Sequence, residues 1–156
     1  MKSNVIKDAF GSAMKKAGFQ KKSDGWYRDT NEAVLVANLQ KSNFGEQYYV
    51  NLGIWLKVLG EVAFPKEYQC HIRVRPATLA PERQKYWENE VFNLEHREIL
   101  DAGRFDLVQS FLEMTALPFL LACGSLSELR RLHREVCFKG AAVMVRAQEI
   151  LQSQSV

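Results

Sequence analysis

The chain is predicted to be a single α+β domain: a four-stranded antiparallel meander with an N-terminal helix and a helical C-terminal half packed on it. Three observations carry that prediction. Residues 26–75 alternate apolar and polar side chains with a period of two, the strand signature. Residues 5–17 and much of 81–151 repeat apolar side chains every three or four positions, the helix signature. The 156 residues, 47% hydrophobic and 25% charged, suffice for one sizeable core without disulfides or metals. The expected layout is a helix over 1–18, the sheet over 24–76, helices over 77–152 and a short polar tail.

In the first segment Ile6, Phe10, Ala13, Met14 and Ala17 make one apolar stripe, and Gly18 supplies a stop. The sheet reading rests on two loops rich in turn residues, 29–32 and 42–45. Closing them puts Tyr27 opposite Val34, Leu39 opposite Tyr48 and Asn38 opposite Tyr49. Opposed residues in an antiparallel pair share a face. One face then collects Trp26, Leu35, Ala37, Leu39, Tyr48, Val50, Leu52, Ile54 and Leu56. The other collects Tyr27, Val34, Val36, Asn38, Tyr49, Asn51, Gly53, Trp55 and Lys57. A slip of one residue would mix the two sets.

The fourth strand, residues 68–75, alternates Cys70, Ile72 and Val74 with His71, Arg73 and Arg75, and Pro76 ends it. Packing the first set with the apolar face sends the second to the polar one. Beyond Pro76 the pattern is helical. Pro81 suits a first turn, with Tyr86, Trp87, Val91 and Leu94 behind it. Gly103 stops a stretch ending in Ile99 and Leu100, and Phe105, Leu107, Val108, Phe111, Leu112 and Met114 follow. Pro118 should kink or restart that helix. Ser125 and Glu128 read as a capping box before Leu126, Leu129, Leu132, Val136 and Phe138. Residues 141–151 make the last helix.

Several function classes lack their signatures. There is no G-x-x-x-x-G-K-[ST] loop and no G-x-G-x-x-G. His71, His96 and His133 have no ligand spacing and there is no C-x-x-C, so no metal and no cofactor is expected. Cys70 and His71 adjoin, but neighbours on a strand point to opposite faces and cannot form a thiol–imidazole pair. Cys70, Cys123 and Cys137 are odd in number and widely spaced, which fits reduced thiols in a cytoplasm. No apolar leader opens the chain, and residues 111–123 are too short to span a bilayer, so a soluble protein with no membrane partner is expected. Residues 1–76 carry a net +5, 77–128 a net −5 and 129–156 a net +3. A total of +3 is a weak footprint for nucleic acid.

The order AGFQKK, GWYR, VANLQKS, YYVNLGI, CHIRVR and ALPFL resembles a bacterial family known as domain of unknown function 4304. The resemblance runs from about Phe10 to Gly140. It implies an α+β domain in a bacterial cytoplasm and brings no activity or functional residues with it.

What remains is the second sheet face, with Asn38, Gln40, Tyr49, Asn51, Trp55, His71, Arg73 and Arg75 as candidate ligand- or partner-binding residues. The first reading is a non-enzymatic protein-binding module, an immunity-type or regulatory partner of another bacterial protein, since aromatics and arginine are enriched at interfaces. The alternative is a small-molecule or anion binder, with enzymatic activity left open, in which Arg73 and Arg75 clamp a phosphate or carboxylate. Base stacking on Tyr49 and Trp55 is a third reading, disfavoured by the acidic middle of the chain. The same face can also be plain solvated sheet.

Overall fold

The computed structural model describes residues 4–135, 138 and 140–153. Helix α1 (Val5–Lys16) precedes strands β1 (Gln20–Lys22), β2 (Gly25–Asp29), β3 (Ala33–Lys41), β4 (Tyr48–Leu56) and β5 (Ile72–Val74). Then come α2 (Gln84–Tyr86), continued by a π-helical turn at Trp87–Val91, α3 (Asp101–Phe111), a second π turn at Leu112–Ala116, α4 (Leu117–Ala122) and α5 (Leu126–Arg134). Strand β6 (Ala142–Val143) and helix α6 (Val145–Gln152) complete the fold. The architecture is α+β, but the antiparallel sheet has six strands in the order β1-β2-β3-β4-β5-β6, not four. Both additions are short edge strands, and the last is cut from what reads in sequence as one helix.

Helix α1 follows the local rules closely. Asn4 caps it, its Oδ1 accepting from the Lys7 N–H at 3.0 Å while its Nδ2 donates to the Tyr48 hydroxyl at 2.9 Å. At the other end Gly18 takes φ +84°, and the Phe19 and Gly18 N–H groups return to the Met14 and Lys15 carbonyls. Ile6, Ala9, Phe10, Ala13 and Met14 are buried. They meet the apolar sheet face of Ala33, Leu35, Ala37, Val50, Leu52, Ile54 and Leu56, together with Ile72 and Val74.

The two face sets are those expected, but both hairpins pair two residues further along. Tyr27 lies opposite Val36, Leu39 opposite Val50, and Asn38 opposite Asn51. A shift of two leaves every side chain on its face. The first hairpin is tighter than a four-residue loop because Thr30 closes it: its N–H donates to the Ala33 carbonyl at 2.9 Å and its Oγ1 accepts from the Ala33 N–H at 3.0 Å. The same turn anchors α5. The Thr30 hydroxyl donates to the Gly124 carbonyl at 2.7 Å, and Glu32 Oε1 accepts from the Leu126 N–H at 3.0 Å. Ser125 caps α5 through the Glu128 N–H, but the Glu128 side chain turns to Arg131 rather than completing a capping box.

The helical half departs further from expectation. Residues 92–100 are irregular, and Gly103 lies inside α3 instead of stopping a helix. Pro118 enters without a break, because the π turn just before it spares its missing N–H and the crowded carbonyl behind it. The result is one helical run, Asp101–Ala122, of 22 residues, with an 18-residue window of mean hydropathy 1.3, long and apolar enough on length and composition to cross a membrane. The stretch 111–123 weighed in the sequence is only part of this run. The run's Val108, Phe111, Leu112, Ala116, Leu117 and Leu120 are buried in the core against α1 and the sheet. Val136 lies outside the described residues.

What makes the irregular stretch tenable is Arg104, only 2% exposed. Its Nη1 donates to the carbonyls of Glu90 and Val91 at 2.7 Å and Asn93 at 3.0 Å; its Nη2 donates to those of His96 and Ile99. A planar guanidinium on the open end of a π turn satisfies carbonyls that no strand or helix reaches, and its charge suits the negative end of that turn. Burial lowers its pKa and the nearby Asp101 carboxylate opposes the shift; a guanidinium nevertheless stays charged. Arg104→Leu is expected to cost about 3 kcal/mol or more, since it strands several buried acceptors at once. Urea denaturation of wild type and variant measures it; a loss below roughly 1 kcal/mol would mean that the carbonyls find water instead.

Candidate binding face

All the helices of the core gather on the apolar face. The other face is divided. Over Tyr27, Val34, Val36 and Trp55 lies the β4–β5 connection, which seats Cys70 among them and sets the Phe64 ring edge-on to Tyr27, centroids 5.2 Å apart. Here the sequence reading needs correction. The fifth strand is only three residues long, because Glu67–Gln69 form a 3-10 turn, and this turn swings Cys70 to the second face instead of the apolar one. Gly53 makes room for it: a Cβ there would fall 2.7 Å from Cys70 Sγ and 3.0 Å from Cys70 Cβ. The strand glycine serves the protein's own chain and not a ligand.

His71 and Trp55 belong to this covered half. The imidazole Nδ1 accepts the Leu56 N–H at 2.9 Å, standing in for a ladder carbonyl where β5 has ended. Its ring lies 4.2 Å from that of Trp55, whose Nε1 donates to the Gly60 carbonyl at 2.8 Å. Burial, and then the charge of Arg146, hold the His71 pKa below its usual 6.5. Burial, with Glu67 adding and Arg73 opposing, pushes the Cys70 thiol up to about 12. Neither group is poised for catalysis: one keeps its proton and the other spends its lone pair on the backbone. Among the described residues no three His, Cys, Asp or Glu side chains are grouped to hold a metal.

The remaining residues are brought together on the uncovered half. Asn51, only 7% exposed, is the centre. Its Nδ2 donates to Gln40 Oε1 at 2.9 Å and to Asn38 Oδ1 at 3.3 Å, and its Oδ1 accepts from Arg75 Nε at 3.0 Å. Arg75 Nη2 also reaches Gln40 Oε1 at 3.3 Å, and its Cζ stands 4.4 Å over the Tyr49 ring. Asn38 Nδ2 is tied to the Asp24 carbonyl at 3.2 Å. Arg73 is close by but engaged: Glu67 takes its Nε at 3.0 Å and its Nη2 at 3.3 Å in a bidentate pair, which raises the guanidinium pKa. A groove of about 470 Å³ runs past Asn38, Gln40, Asn51 and Arg73, walled by Asp24, Lys66 and Tyr68.

Side-chain alternation located Asn38, Gln40, Tyr49, Asn51, Arg73 and Arg75 correctly on one surface. It missed Glu67, which decides what Arg73 can do, because a residue in a loop carries no face parity.

A family model described as Domain of unknown function (DUF4304) matches residues 10–120. The chain belongs to this family. Comparisons with curated proteins and with solved structures find no match. In this DUF4304 domain the matched span holds the whole of the polar network, from Asn38 to Arg75, and also Arg104.

Two expectations follow. Gly53→Ala should destabilise by roughly 1–3 kcal/mol, because the Glu67–Cys70 turn has to shift, and should speed the reaction of Cys70 with a thiol reagent; unchanged reactivity would mean that the turn absorbs the methyl. His71 is less basic folded than unfolded, so protons favour the unfolded chain. Its contribution is full above about pH 6.5 and is lost as pH falls from there through the folded pKa. Urea titrations should show that the stability difference between wild type and His71→Gln shrinks across that window; a pH-independent difference would contradict it.

Proposed function

We propose that the domain is a non-enzymatic protein-binding module, an immunity-type or regulatory partner of another bacterial protein, acting through the uncovered half of the second sheet face. The observation that carries the reading is the Arg75–Asn51–Gln40 network. A buried asparagine holds Arg75 flat on Tyr49, so that a side chain rich in rotamers is ordered before any partner arrives. Preorganised arginine on an aromatic is what interface hot spots are made of, and it reduces the entropy cost of association.

The network also supports a reading of the partner's chemistry. Arg75 Nε and Nη2 are turned inward, leaving Nη1 outward, and the Gln40 oxygen is used internally, leaving its amide N–H₂ to donate. On the groove wall Lys66 pairs with Asp24 at 3.6 Å and Arg73 with Glu67, so the charge and donors left to a partner are those of Arg75 and the Gln40 amide. The face suits a segment that carries a carboxylate side chain beside free backbone carbonyls. Tyr68, 65% exposed at the groove, adds an apolar contact. The anion-clamp alternative needs two open guanidinium forks, whereas Glu67 fills that of Arg73. Base stacking needs free rings, whereas Arg75 lies on Tyr49 and His71 on Trp55.

The test is capture from native lysate with Arg75→Glu and, as a control on the helical side, Lys85→Glu. A partner held by wild type and Lys85→Glu but weakened at least about tenfold by Arg75→Glu, at unchanged melting temperature, is the expected result. Capture indifferent to Arg75, or none at all, would sink the reading.

A further inference from the structure

We infer that the groove between α5 and α6 is a second binding site, for a small molecule carrying a phosphate monoester. It lies on the helical side of the domain and is independent of the sheet face. Its volume is about 630 Å³, within the range of small-molecule sites and well beyond a bare anion. One wall is α5, which presents Ser127, Arg130 and Arg134 at helical spacing with His133 beside them; the other is the end of α6, with Leu151 and Ser153.

The charge arrangement points to the ligand. Among the described residues no carboxylate lines this groove. The two acids near Arg131, Glu128 and Glu135, both pair with it on the outer flank of α5. Arg134 and His133 are left with no side-chain hydrogen bond or ion pair among the described residues, although Arg130 and Arg134 are like charges one turn apart, a spacing that destabilises a helix. Arg130 is braced at the rim, Nε to the Ile150 carbonyl at 3.3 Å and Nη2 to Ser153 Oγ at 3.4 Å, which fixes its fork while leaving other N–H groups to donate. Two guanidiniums, an imidazole and the Ser127 hydroxyl around one acid-free concavity match a phosphate's three acceptor oxygens, while the Ser153 Oγ–H is spent on the Ile150 carbonyl at 2.7 Å. Leu151, only 3% exposed, closes the floor of the groove.

Calorimetric titration with adenosine 5′-monophosphate, adenosine and inorganic phosphate at fixed ionic strength tests this. The monophosphate is expected to saturate one site and adenosine to show no saturation. Arg134→Gln, which changes an exposed and unpaired side chain, should weaken the monophosphate about tenfold, while Lys85→Gln leaves it unchanged. Inorganic phosphate competing at the same Arg134-dependent site also supports the phosphate chemistry, and the ratio of the two affinities reports how far the ligand's body contributes. No saturation by either phosphate compound up to ~10 mM, or equal binding by Arg134→Gln, overturns it. Arg75→Glu should not alter this binding, so the outcome is separable from that for the sheet face.

Discussion

The pairing of β3 with β4 is the constraint on which the rest of the molecule depends. Nine opposed pairs, from Ala33 with Leu56 to Lys41 with Tyr48, sort the side chains of two central strands without a break. One set is almost wholly apolar and must leave water; at ~25 cal/mol per Å² of buried apolar surface, no other arrangement of these strands competes. The opposite set contains Asn38, Gln40 and Asn51. Slipping the pairing by one residue would press those amides against α1 and α3 with nothing to bond to, at a cost of a few kcal/mol each. The same alternation that builds the core therefore fixes the amides on the other side, so the polar network follows from the fold's own register.

Arg104 solves a different problem. The chain must pass from a π turn to α3 through residues 92–100, which meet the sheet side at an isolated Gln47–Asn93 bridge and continue no helix. Carbonyls turned inward along such a path are short of donors, and one guanidinium reaches five of them between the π turn and Ile99. A carboxylate partner would have claimed the same donors. Its absence is what frees the side chain to serve the backbone, at a desolvation cost that the hydrogen bonds offset.

These two features mark how much could be read in sequence. Face parity survives an error of two residues in register, so Leu35, Asn38, Asn51 and Arg75 were legible although neither hairpin loop was placed correctly. Edge strands are another matter. Gln20–Lys22 offers no alternation because all three side chains are exposed, and lysines suit an unpaired edge. Ala142–Val143 is too short to have a period. Cys70 was misplaced because strand alternation was carried through a 3-10 turn, and only the space over Gly53 reveals where that turn goes. Arg104 gave no signal at all: a single arginine on a helix reads as solvent-facing, and its partners are main-chain atoms that no side-chain pattern encodes.

The two cationic regions differ in how their charge is held, and the difference bears on what each can recognise. Arg75 is bonded to two amides and stacked on a ring, so its orientation is set and its remaining donors point one way. A partner meeting it loses little entropy but must match a fixed geometry, which favours specificity. Arg134 is unrestrained and carries a like-charged neighbour one turn away, so its environment favours an anion of any orientation that can sit between them. Electrostatic attraction of that kind is sensitive to salt and tolerant of shape. Shape must then come from the groove, whose floor at Leu151 and rim at Ser153 are fixed by the packing of α6 on α5 and by the bracing of Arg130. The helix pair thus supplies rigidity that the side chains lack, whereas on the sheet face the side chains are themselves the rigid element.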